Sequence, residues 1–123
     1  MDEAASAVVI EIAKEFIELL RSMGPKWDKG YFRFRDEGLN YGSNASYVVA
    51  AEATIVDPFE CLSFFDSMNK KGVKLLELLG KKQGLFLVTV DSKFNYDIQF
   101  EFENLNRWRI TKLDGGTGVP EGL

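Results

Sequence analysis

Apolar and polar positions recur along the chain with two periods, and the switches between them mark the elements. From Asp2 to Met23, Val9, Ile12, Phe16, Leu19 or Leu20, and Met23 repeat at spacings of three and four. Glu11, Lys14, Glu15, Glu18 and Arg21 fill the positions between, the pattern of an amphipathic helix. Asp2 and Glu3 near its start and Arg21 near its end suit the helix dipole. Gly24 and Pro25 form the stop, since Gly accepts a left-handed cap and Pro cannot continue a helix.

The period then falls to two. Tyr31 to Arg35 alternates, predicting a strand with Phe32 and Phe34 toward the core and Arg33 and Arg35 on the other side. Asp36 to Asn44, rich in Gly, Asn and Ser, predicts a hairpin connection. Ser46 to Val56 reads as one second strand with Tyr47, Val49, Ala51, Ala53 and Ile55 on one face, its small alanines admitting a helix close by. Asp57-Pro58-Phe59-Glu60 predicts a helix start, with Asp57 capping and Glu60 reaching back as in a capping box. Cys61, Phe65, Met68, Gly72, Leu75 and Leu79 continue as one stripe to Gly80. Gly72 costs about 1 kcal/mol against Ala in a helix interior, so one bent helix or two short ones satisfy this segment.

Leu85 to Val90 is an unbroken apolar run, as in a strand covered on both faces. After Asp91-Ser92-Lys93, a further strand sets Phe94, Tyr96, Ile98, Phe100 and Phe102 against Asn95, Asp97, Gln99, Glu101 and Glu103, one face apolar and the other acidic. Trp108 and Ile110 alternate with Arg107, Arg109 and Thr111 in an expected last strand. A Gly-rich irregular tail, residues 113–123, is either flexible or laid along the surface. The order of elements predicts an α+β fold over residues 1–123 as a single domain: a mainly antiparallel sheet of about five strands with two main helices packed on one face.

Composition narrows the chemistry. Lys plus Arg is 15 and Asp plus Glu is 19, a net charge of −4, which argues against binding nucleic acid and favours a basic partner. The chain has no His, the commonest general base and zinc ligand, and one Cys, too few for an internal disulfide or a Cys-rich metal site. No apolar run approaches the roughly 20 residues of a membrane span, so no membrane association is expected. The acidic start MDEAAS is unlike a signal peptide, and the cytoplasm is the expected compartment.

No catalytic, cofactor-binding or metal-binding residues emerge from this reading. Cys61 lies on an apolar stripe and reads as a small core hydrophobe. Asp97 and Glu101, four apart on a strand, stand roughly 13 Å from each other, too wide for a glycosidase pair. Gly115-Gly116-Thr117-Gly118 offers the amides of an anion nest, yet Lys112 precedes the glycines instead of following them as a P-loop requires. What remains is an acidic surface, Asp91, Asp97, Glu101 and Glu103, beside Arg33, Arg35, Arg107 and Arg109. Two readings stay open: cross-strand charge pairing on a solvated sheet, or a rigid acidic surface that recognises a basic partner.

The stretch VDSKFNYDIQFEFENLNRWRITKLDGGTGVP, with KWDKGYFRFR before it, resembles the small immunity proteins encoded beside bacterial polymorphic and contact-dependent growth inhibition toxins, in particular the YezG-like group. The resemblance implies a cytoplasmic antitoxin, without catalysis or cofactors of its own, that forms a 1:1 complex with the C-terminal domain of a cognate toxin, often a basic nuclease. It carries over no catalytic motif. Asp91, Asp97, Glu101 and Glu103 are the expected toxin contacts, with Tyr96 set aside as core-facing. The alternatives are an acidic secretion chaperone, which needs exposed apolar surface, and a small enzyme acting through carboxylates alone.

Overall fold

Asp2 begins the fold: its Oδ1 accepts the Ala5 amide at 2.8 Å, satisfying one donor that a helix start leaves unpaired. Helix α1 runs Glu3–Ser22 and buries Val8, Val9, Ile12, Phe16 and Leu20. The computed structural model describes residues 1–24 and 26–123. Gly24 takes the left-handed φ of 110° expected of the helix stop, and Pro25, the other half of that signal, lies outside the described residues.

The remaining elements are β1 (Lys29–Asp36), β2 (Tyr41–Val49), β3 (Glu52–Ile55), α2 (Leu62–Leu78), β4 (Gly84–Asp91) and β5 (Tyr96–Glu101). The strands form one antiparallel sheet in the order β3-β2-β1-β4-β5. This is the expected α+β fold, with α1 and α2 on one face. Between helices and sheet, Phe16, Phe32, Phe64 and Phe86 meet at centroid separations of 5.9 to 6.3 Å.

Several elements differ from the pattern reading. The connection between β1 and β2 is shorter than expected, because β2 already starts at Tyr41. Ser46 to Val56 is two strands. Ala50 and Ala51 both take positive φ, 50° and 69°, and reverse the chain so that Val49 pairs with Glu52. The expected common face is therefore broken: Tyr47 and Val49 pack toward the helices, whereas Ile55 packs on the opposite side of the sheet. The small side chain of Ala53 meets the C-terminal segment, not a helix, for a Cβ added at Gly118 would lie 3.1 Å from its own.

Helix α2 starts four residues later than the capping signal placed it, with Cys61 and not Asp57 at the cap. Asp57 Oδ1 accepts the Phe59 amide at 2.9 Å in a separate turn, and Cys61 stands at the helix N-cap with no side-chain capping bond. Helix α2 passes through Gly72 without interruption. The Phe34 ring occupies the space a side chain would take, since a Cβ at Gly72 would fall 2.6 Å from its Cδ1. The glycine is a packing requirement, not a break.

The expected last strand, Arg107 to Thr111, does not form. After Glu101 the chain turns and crosses the second face of the sheet in irregular conformation, with Trp108 at φ 58° and a short 3₁₀ turn at Leu113–Gly115. Trp108 and Ile110 are buried there against Tyr31, Leu85 and Leu87, with Val119 packed at their margin. The tail is laid on the surface, the second of the two expected alternatives. β4 is covered on both faces, as its apolar run requires: Phe86, Val88 and Val90 face the helices, and Leu85 and Leu87 face the tail.

Candidate functional site

The four acidic residues expected to contact a partner all lie along one margin of the sheet, the β5 edge and the turns at its two ends. β5 pairs only with β4, and its register sets Asp97 opposite Thr89 and Glu101 opposite Leu85. Period two therefore puts Asp97, Gln99 and Glu101 on the tail side.

Two of the four carboxylates also build the turns they stand in. Asp91 Oδ1 accepts the Lys93 and Asn95 amides at 2.9 and 3.0 Å, and its Oδ2 accepts Asn95 Nδ2 at 3.1 Å. The Asn95 side chain, followed by the two amides and the Lys93 charge, holds this carboxyl below the ordinary aspartate range. Glu101 Oε2 accepts the Glu103 and Asn104 amides, each at 3.1 Å, and Oε1 accepts Arg107 Nη1 at 3.0 Å. Its carboxyl is also held low, by the Asn104 amide first, then the Glu103 amide and Arg107. Asp97 and Glu103 are exposed, and among the described residues neither enters an ion pair.

The arginines set beside these acids divide differently from a ladder of cross-strand pairs. Arg107 alone pairs with the acidic row, through Glu101, while its guanidinium lies 4.4 Å from the Trp108 ring centroid. Arg35 pairs with Glu37 at 2.5 Å and Arg109 with Glu121 at 3.4 Å. Arg33, expected on an open face, is buried beneath the tail and donates from Nε and Nη2 to the carbonyls of Arg107 and Leu105. Burial, with Arg35 and Arg109 nearby, lowers its pKa to about 10.

Two aromatic residues belong to this margin that the alternation pattern assigned to the core. Tyr96 is 43% exposed and Phe94 is 47% exposed. Phe94 stands in the β4–β5 turn at φ 68°, with the Arg21 guanidinium 5.7 Å and the Trp27 ring 6.0 Å from its ring. Strand alternation reports which side a residue faces; it does not report how far the opposing helix layer extends. The one signal available was the short Asp91-Ser92-Lys93 connection, whose end places Phe94 inside a turn.

The other candidate groups resolve as follows. The Gly116 and Gly118 amides, which a nest would aim outward, bond to the Leu113 and Thr111 carbonyls at 3.0 Å each. Burial, reinforced by Glu60 and Asp57, raises the Cys61 thiol above its ordinary range and so keeps it protonated. Among the described residues no group of three or more Cys, Asp or Glu side chains could hold a metal ion, and no helix is long and apolar enough to cross a membrane. Compared with known proteins, the chain matches no family model and no curated sequence.

Proposed function

We propose that this chain is an immunity protein, which binds a cognate toxin domain of basic character, such as a nuclease, in the cytoplasm and blocks its active site or substrate surface. The observation that supports this reading is the row Asp91, Asp97, Glu101 and Glu103 along one open sheet edge, flanked by exposed Phe94 and Tyr96. Carboxylates on a rigid strand speed encounter with a basic partner, and neighbouring aromatics supply the apolar contact that charge alone does not. The resemblance of the C-terminal half to YezG-like immunity proteins points the same way. In this reading Asp91 and Glu101 hold the shape of the margin, and Asp97 and Glu103 make the direct contacts.

The test begins with capture of the tagged chain's partner from its source cells, followed by reconstitution from purified components. A 1:1 complex in which the partner's enzymatic activity is lost, with binding weakened and less salt-dependent after Asp97→Lys and Glu103→Lys together, is the expected result. A partner that stays fully active when bound overturns the reading, and unchanged affinity in the double variant overturns the site. The secretion-chaperone alternative draws on Phe59, 84% exposed in the turn before α2, and Leu62, 65% exposed at the first residue of α2. A dimer holding an extended segment of its partner would favour it.

A further inference from the structure

We propose that a cleft between Arg35 and the start of β2, on the far side of β1 from β4 and β5, binds a small molecule through a carboxylate or phosphate oxyanion. The cleft has a volume of about 320 Å³ and is lined by Arg33, Arg35, Asn40 and Asn44 among others, the lower end of the size range of small-molecule sites. β1 and β2 shape it by their register, which sets Arg33 opposite Asn44 and Arg35 opposite Gly42. Gly42 leaves the floor open, since a Cβ added there would meet nothing within 4 Å.

The charge in this cleft is only partly balanced: Glu37 lines it and pairs with Arg35, whereas among the described residues no carboxylate pairs with Arg33. Arg33 is only 8% exposed, and its two bonds go to neutral carbonyls. Burying a cation without a carboxylate is costly. Arg35 is near enough to oppose the Arg33 charge, and its one carboxylate partner, Glu37, is bound through Nη2. The Nε of Arg35 is buried and has no acceptor among the described residues. Guanidinium groups bind carboxylate and phosphate through their N–H donors, so an oxyanion entering the cleft would take the place of Glu37 at Arg35 Nη2 and offset the Arg33 charge. Glu37 acts as its competitor.

The experiment is an amide-detected NMR titration of the full chain with inorganic phosphate and, separately, with acetate, at constant ionic strength. Saturable shifts confined to Gly42, Asn44 and neighbours are expected, and the anion that saturates identifies a phosphate or a carboxylate ligand. Arg35→Gln should weaken binding at least about tenfold, the loss of one charged hydrogen bond, whereas Glu37→Gln should tighten it by removing the competing carboxylate. Linear, unsaturating shifts with both anions overturn the proposal. So does a Glu37→Gln variant that binds no more tightly than the parent, a test that stands even where Arg35→Gln fails to fold.

Discussion

Arg33 Nε donates to the main-chain carbonyl of Arg107 at 2.9 Å, across 74 residues of sequence. With the bond from Nη2 to the Leu105 carbonyl at 2.8 Å, it ties the C-terminal segment to the centre of the sheet. The Asn44 side chain adds a third tie, donating to the Ile110 carbonyl at 3.0 Å. Under these bonds Trp108 is withdrawn from water onto Leu85 and Leu87. The second core layer therefore rests on polar bonds from β1 and β2 as well as on its own apolar area.

Arg33→Met, which keeps the length of the side chain, leaves the Leu105 and Arg107 carbonyls without their donor. It should destabilise the protein by about 2–3 kcal/mol, and limited proteolysis should cut first within residues 104–123. Urea melts together with mass spectrometry of the early fragments check both. Loss of stability without early cleavage in the tail would show that the arginine supports the sheet instead.

The β2–β3 turn places two alanines at positive φ, a conformation that costs an L-residue roughly 1–2 kcal/mol. Two-residue hairpin turns of this kind prefer Asn-Gly. The double substitution Ala50→Asn, Ala51→Gly should raise stability by about 1–2 kcal/mol, read as a higher urea midpoint with an unchanged slope.

Gly72→Ala sets two effects against each other. Helix propensity favours Ala by about 1 kcal/mol, but the new methyl would lie 2.6 Å from Phe34 Cδ1, a ring that stacks on Phe86 and does not yield easily. Overpacking of a core costs about 1–3 kcal/mol, so the substitution should be net destabilising. A thermal melt that shows stabilisation would mean the Phe34 ring can move aside.

Glu101 carries a predictable acid sensitivity. Its carboxyl is held below the ordinary glutamate value of 4.5 in the folded chain, so unfolding takes up a proton near and below that pH. Stability from this group is therefore fully present above pH 4.5 and is lost as pH falls through the lower folded value. Glu101→Gln should flatten the fall in urea midpoint between neutral pH and pH values below 4.5, and it should leave the rest of the pH profile in place.

Helix α1 and the cores of β1 and β4 were legible in the sequence because each is decided by contacts that repeat locally. A stripe at spacings of three and four, or an alternation of two, names the buried face wherever the covering layer comes from. The same holds for the α+β class and for the acidic row, since alternation alone puts Asp97 and Glu101 on one side of β5. The hairpin at Ala50-Ala51 was not legible, because alanine carries no turn signal and the reversal rests on pairing of Val49 with Glu52.

The tail shows the division most clearly. Arg107 to Thr111 alternates as a strand would, and its own sequence determines only that Trp108 and Ile110 must be buried together. Tertiary structure decided where. Glu101 caps the turn that ends β5, and Leu85 and Leu87 on β4 need cover on the face the helices leave bare. Arg33 then supplies the donors that let irregular backbone lie over a core without unpaired carbonyls. These three conditions come from separate strands, and only their convergence in space turns the segment from the expected last strand into an irregular cover on the sheet.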